Sequence, residues 1–362
     1  MGRVLNFYPG PSALPVEALE EAKAELLDWK GTGMSVMEIS HRSKEFDAVH
    51  NETIDLLKKL FGIPKNFSVL LLQGGATLQF AMVPMNLIGA GETASYAVTG
   101  TFSNNSFKTA KKIADVALAV SVEEAGKYFR IPKQEEINIA DKSAYLHLTS
   151  NNTIFGTQWK KFPETGKVPV VADMSSDILS RRIEWEKLGL IYAGAQKNLG
   201  PSGVTVVIIR DDLIEKSGVA LPDILSYKVL VGKNSLYNTP CTFGIYMMNK
   251  VLKWVEKVGG LKAVEDENEK KAKLLYGVID ANPEFYVSQV EKESRSSMNV
   301  IFNLKDENID AQFIADAKNE GIVGVKGHRS AGGIRVSIYN SHKVKDVEIV
   351  ANFMKEFVKK NG

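Results

Sequence analysis

The chain has 362 residues, 44% hydrophobic and 24% charged, with a formal net charge of +2. That length suits two domains and a large buried core, while the balanced charge argues against a nucleic-acid surface. The single cysteine, Cys241, excludes an internal disulfide framework and a Cys-based metal cluster, and it fits a reducing compartment.

In chain order, Met1 leads into Asn6-Phe-Tyr-Pro-Gly-Pro11 without a basic and apolar leader, and no run of about 18 or more apolar residues follows. A cytoplasmic protein that neither is secreted nor spans a membrane is therefore expected. Apolar groups at Val16, Leu19, Leu26 and Leu27 predict a helix over residues 16–29, and Phe46, Val49, Leu56, Leu57 and Leu60 predict a second. Residues 68–72 read as a buried strand, Gly74-Gly75 as a turn, and residues 76–88 as a helix that Pro84 should kink.

Further strand-like runs follow at residues 94–98, 116–120, 144–148, 168–172, 190–193 and 204–209, with helical or polar segments between several of them. Seven such runs predict an α/β fold with a mainly parallel seven-stranded sheet covered on both faces. After a helix at 243–258, Gly259-Gly260 precedes a long charged helix over 261–279. Strands at 285–290, 298–304 and 334–339 and helices at 311–318 and 347–359 then predict a smaller α+β domain. The expected division is a large domain over 16–260 and a small one formed by 1–15 and 261–362.

Ligands of parallel sheets collect at the carboxyl ends of strands, and three chemically useful groups fall there. Lys197, in Ala193-Gly-Ala-Gln-Lys-Asn-Leu-Gly-Pro201, is an amine on a loop of small residues. Burial or a cationic neighbour would free it to condense with an aldehyde, and the small residues would let a flat cofactor lie close. Asp173 could pair with a protonated pyridine nitrogen. The segment Gln73-Gly-Gly-Ala-Thr-Leu-Gln79 could offer the N–H groups of Ala76 and Thr77 to a phosphate at a helix N-terminus. Each has a plainer reading alone: a surface lysine, a turn carboxylate, a simple strand-to-helix turn. The basic clusters Ser40-His41-Arg42 and Gly327-His328-Arg329, with Arg335, suit a multiply anionic substrate or are solvated surface charge. The histidines lack metal-site spacing, so no metal is expected.

Taken together, Ser35-Val-Met-Glu-Ile-Ser-His-Arg42, the Lys197 loop, Asn238-Thr-Pro240 and Gly327-His-Arg329 closely resemble the phosphoserine aminotransferases, a family of fold-type I, class V pyridoxal phosphate enzymes. The similarity runs from Asn6 to the C-terminal helix. It implies that Lys197 bonds to the cofactor aldehyde and shuttles a proton, and that Asp173 holds the ring nitrogen. Phe102 would stack on the ring where many relatives have tryptophan, and Ala76, Thr77, Thr153 and Gln196 would complete the cofactor site. Asn238 and Thr239 would reach the phosphate from a partner subunit, which makes a homodimer part of the expectation. His41, Arg42, His328, Arg329 and Arg335 would bind substrate, with Arg335 on the α-carboxylate. Thr77 stands where some relatives carry arginine, and Pro9 where some carry serine.

The implied reaction moves an amino group between L-glutamate and 3-phosphohydroxypyruvate, giving 2-oxoglutarate and phosphoserine, with a phosphorylated four-carbon 2-oxo acid of the vitamin B6 route as a second substrate. Two alternatives stay open. One is other class V chemistry, such as small-keto-acid transamination or cysteine desulfuration, for which Cys241 after Pro240 is poorly placed. The other is a non-enzymatic α/β module that binds a phosphate ligand at Gly74-Gly75.

Overall fold

The computed structural model describes residues 3–216 and 220–362. A seven-stranded sheet runs in the order Phe67–Leu72, Thr205–Arg210, Leu188–Gly194, Val170–Asp173, Ser143–Thr149, Thr93–Val98, Val116–Ser121. Only Thr205–Arg210 is antiparallel to its neighbours; the five strands beyond it pair in parallel. The continuous apolar runs are explained by helices on both faces, because successive side chains of a strand point to opposite sides. Val69, Leu146, Leu148, Ile191 and Val206 enter one core, packed on the helices Lys44–Phe61 and Thr242–Lys257. Leu70, Tyr145, Val171, Tyr192 and Val207 enter the other, packed on the helix Gly75–Leu87.

A third core forms where the strands Tyr286–Val287, Asn299–Leu304 and Ile334–Ser337 pair antiparallel. The helices Gly260–Ala281, Asp310–Asn319 and Val344–Asn361 cover it. Phe7 joins this core from the start of the chain, because Leu5–Asn6 pairs in parallel with Ile322–Val323. That pairing of two-residue strands left no periodic signal in the sequence. Among the described residues, no helix is long and apolar enough to cross a membrane.

Several boundaries differ from the sequence expectation for identifiable reasons. The first helix covers Val16–Ala24 and stops short of Trp29. Trp29 is buried against the edge of Tyr246, and a turn in which Gly33 N–H donates to Asp28 Oδ1 at 2.7 Å carries the chain inward. Burying one indole outweighs continuing a helix whose next positions, Leu26 and Leu27, face solvent. Only Tyr286–Val287 of the run 285–290 is strand. A helix at Thr101–Ala110, polar for most of its length, carries no apolar stripe strong enough to be read in advance.

Lys271 is fully buried under the third core, where its amine donates to Ile338 O at 3.0 Å and Tyr339 O at 2.8 Å. Burial pushes it down to about 7. A neutral amine still has two N–H groups, enough for both carbonyls. The folded protein releases this proton near pH 7, whereas the unfolded chain keeps it up to the ordinary lysine range. Stability from this group must therefore rise with pH across that window, by up to roughly 1 kcal/mol per pH unit. Urea unfolding at pH 7 and pH 9 should show that Lys271→Met loses this increment relative to wild type; an equal pH response in both proteins contradicts the assignment.

Candidate active site

The sheet directs its ligand site through its topology. After Val98 the chain leaves toward Val116–Ser121 on one side, and after Thr149 it leaves toward Val170–Asp173 on the other. The crevice opened by two departing connections is where open α/β sheets bind ligands. A cavity of about 310 Å³ occupies it, with Phe102 from one connection and Thr149, Asn151 and Thr153 from the other in its wall.

Asp173 ends its strand, paired with Thr149 and Tyr192, and is buried. Its Oδ1 accepts from Ser175 N–H at 3.0 Å and from Ser175 Oγ at 2.7 Å; no described group donates to Oδ2. Burial raises its pKa, while the Ser175 hydrogen bonds and the Lys197 charge act in the opposite sense. Oδ2 is thus a prepared acceptor at the cavity wall.

Lys197 follows the strand Leu188–Gly194, on a loop closed by Leu199 N–H to Ala195 O at 3.1 Å. Asn198 pins that loop from two sides, donating to Ile178 O at 3.0 Å and accepting from Asn340 N–H at 3.1 Å. The Lys197 amine donates to Thr153 Oγ1 at 2.8 Å and stands 5.7 Å from the centre of the Phe102 ring. Burial pushes it down to about 8, with Asp173 opposing the shift, Arg335 reinforcing it and Asp177 opposing it. A lysine so held is a nucleophile near neutral pH.

The small residues of this loop serve packing more than cofactor approach. Gly200 lies against the Met248 backbone, Gly203 against Cys241 Sγ, and Gln196 folds over Gly194. Cys241 itself is half-buried against the core. Opposite Lys197, Gly74 and Gly75 take left-handed conformations at φ 89° and 66° and start the helix Gly75–Leu87 without a side-chain cap. The first-turn N–H groups of Ala76 and Thr77 are left for an anion.

Arg335, on the strand Ile334–Ser337, crosses from the third core to complete the wall. It is buried and its Nη1 reaches Thr153 O at 3.5 Å, while Nε has no partner. Burial lowers its pKa. His328 also lines the cavity, with Nδ1 2.7 Å from Ser330 Oγ; its pKa is lowered first by burial and then by Arg335 and Arg329.

Of the residues singled out from sequence, Ala76, Thr77, Phe102, Thr153, Asp173, Gln196, Lys197, His328 and Arg335 surround this cavity. His41, Arg42, Arg329, Asn238 and Thr239 do not. Asn238 and Thr239 are exposed beside the glycine turn, where Asn238 Nδ2 donates to Gln73 Oε1 at 2.8 Å and Gln73 Nε2 donates to Thr239 O at 3.1 Å. Pro9, noted from sequence as a departure from some relatives, also lines the cavity, while sequence reasoning missed Gly10, Phe80, Thr149, Asn151, Ile154, Ser175 and Ser176. Only Ser175 carried a local signal, as a hydroxyl two positions after the strand-end acid, placed to turn back on it.

An amine, an acid, an anion-binding helix start and a buried guanidinium around one crevice define a class of group-transfer enzyme on a mainly parallel α/β sheet. Residues 4–350 match the class-V aminotransferase family, and the chain belongs to that family. It is 54% identical to the phosphoserine aminotransferase of Lysinibacillus sphaericus, over 99% of each chain. The phosphoserine aminotransferase structure from Bacillus circulans subsp. alkalophilus superposes with a TM-score of 0.96 at 52% identity, covering 99% of each chain. The pyridoxal-phosphate-bound phosphoserine aminotransferase of Trichomonas vaginalis gives 0.93 at 38% identity, over 98% of this chain and all of that one.

Titration of Lys197 by trace acetylation and peptide mass spectrometry should give a midpoint near 8. Asp173→Asn should lower it further, because the carboxylate is the main charge favouring the ammonium form. A midpoint in the ordinary lysine range, or a rise in the Asn variant, contradicts the electrostatic picture.

Proposed function

We propose that the chain is a pyridoxal-phosphate-dependent transaminase that moves an amino group between L-glutamate and 3-phosphohydroxypyruvate, giving 2-oxoglutarate and O-phospho-L-serine. The observation that carries this reading is one cavity lined by Lys197, Asp173, Arg335 and the start of the Gly75–Leu87 helix, in a chain about half identical to phosphoserine aminotransferases over its whole length.

The residues fit the cofactor. Asp173 Oδ2 is free to hold a protonated pyridine nitrogen, the Ala76 and Thr77 N–H groups and the Thr77 hydroxyl suit its phosphate, and Phe102 offers a flat face. Gln196 and Thr153 close the sides. Bound pyridoxal phosphate supplies an aldehyde and a ring that withdraws the electrons left when a Cα proton departs. Asp173 would keep the ring nitrogen protonated, so that this withdrawal is effective. Lys197, near neutral pH both a competent nucleophile and a competent base, would hold the aldehyde and, once displaced by the substrate amine, would carry the proton taken from the substrate Cα. Arg335 orients the substrate by its α-carboxylate, which would engage the guanidinium left with an unpaired Nε. Arg329 and Arg42 supply positive charge, and His328 and His41 ring N–H groups, for the distal anionic group.

Arg42, His41, Asn238 and Thr239 lie outside this chain's cavity, and a homodimer accounts for them. In that assembly Asn238 and Thr239 reach the phosphate of the second copy's site. Residues 16–260 form the large domain and residues 1–15 with 261–362 the small one, so that Arg335 closes on substrate from the small domain. The setting is cytoplasmic serine synthesis, with a phosphorylated four-carbon 2-oxo acid of the pyridoxine route as a second acceptor.

One lysine serves both halves of the reaction, so initial rates with both substrates varied should give parallel double-reciprocal lines, and intersecting lines contradict the scheme. Phosphohydroxypyruvate should be turned over far better than pyruvate or glyoxylate; the reverse preference favours a small-keto-acid transaminase. Borohydride should fix the vitamer on Lys197 of wild type and not of Lys197→Ala, which should lose nearly all turnover.

A further inference from the structure

A buried polar chain joins the third core to the wall of the cavity that holds the reactive amine. Tyr339 is fully buried, and its hydroxyl donates to Pro9 O at 2.7 Å while accepting from Asn299 Nδ2 at 3.2 Å. Asn299 Oδ1 in turn accepts from Asn151 Nδ2 at 2.8 Å, and Asn151 O accepts from Ser176 Oγ at 2.8 Å. Asn151 and Ser176 are in the cavity wall. Asn299 also donates to Ser337 Oγ at 2.9 Å, two positions from Arg335 on the same strand.

The carbonyl that Tyr339 holds belongs to a strap that covers the amine's stem. Gly10, next to Pro9, packs so closely that a Cβ there would stand 3.3 Å from Lys197 Cγ and 3.4 Å from Cε. Ser12 fastens the far end of the strap, with its N–H on Gln196 O at 3.0 Å and its Oγ on Lys197 O at 2.7 Å. At the near end, the Tyr339 hydroxyl is the side-chain donor that holds Pro9.

We propose that Tyr339 is a positioning residue: its hydroxyl holds the Pro9–Gly10 strap against the Lys197 stem and thereby keeps water from the reactive amine. The proposal rests on Lys197 being the reacting group of the function given above. Residue contacts alone generate its consequence, however. A loosened strap lets water reach the lysine stem, and the burial that holds the amine at about 8 is relieved. The Tyr339 hydroxyl also lies beside Arg335 and Thr153, so Gly10→Ala, which leaves that hydroxyl and the charged groups acting on Lys197 in place, separates loss of the strap from a change at those neighbours.

The test compares Tyr339→Phe with Tyr286→Phe, a control that removes an equally buried hydroxyl from Met354 O, 2.7 Å away in the third core. The titration midpoint of Lys197, read by trace acetylation of the cofactor-free full chain, should move upward by about one pH unit in Tyr339→Phe, the effect of losing roughly one hydrogen bond's worth of closure. Tyr286→Phe should keep the wild-type midpoint. Gly10→Ala, which thrusts a methyl between strap and stem, provides a second route to the same opening and should also raise the midpoint. An unchanged midpoint in Tyr339→Phe, or equal shifts in Tyr339→Phe and Tyr286→Phe, overturns the proposal. Borohydride fixation of pyridoxal phosphate on wild-type Lys197 is run alongside; if it fails while the midpoints differ as expected, the cofactor reading falls and the strap remains.

Discussion

Withdrawal of one amine from water beside one buried carboxylate organises this molecule. Lys197 loses hydration in the cavity and is drawn toward neutrality, and the negative charge of Asp173 keeps the shift from going further. Asp173 is itself desolvated and survives as a useful acceptor because Ser175 donates twice to one of its oxygens. Neither group would have these properties on an exposed loop. Positioning both at adjacent strand ends requires a rigid sheet, and the two-sided core provides it.

The sheet does more than hold those ends in place. Between Thr93–Val98 and Ser143–Thr149 the connections diverge, so the backbone opens a crevice with no residue having to be removed. Phe102 enters it from the start of the helix Thr101–Ala110, and the glycine turn delivers a helix N-terminus to the same space. The antiparallel strand Thr205–Arg210 lies on the far side of Leu188–Gly194 and leaves the crevice undisturbed.

The third core contributes through polar contacts. Arg335 projects from it toward Thr153, Asn340 holds Asn198 beside Lys197, and Tyr339 holds the Pro9 carbonyl. Lys271 secures the carbonyls of Ile338 and Tyr339 from behind. These bonds are directional, so small movements of this core would be felt at the amine. An apolar seam would have allowed sliding at little cost.

The sequence by itself determined the elements whose signal is local. Seven apolar runs became the seven strands, the periodic helices near 44–61, 242–257 and 344–361 formed as read, and Lys197, Asp173 and Gly74-Gly75 were recognisable as strand-end chemistry. Periodicity and turn chemistry are written in consecutive residues, so they survive without coordinates. Only the tertiary structure decided that Pro9, Gly10, Thr149, Asn151 and Ser176 share a cavity with Arg335, that Tyr339 holds the Pro9 carbonyl, and that Asn238 and Thr239 lie beside the glycine turn and outside this chain's own cavity. Those relations join residues up to 330 positions apart in the chain, and a contact of that kind depends on where the backbone returns in space.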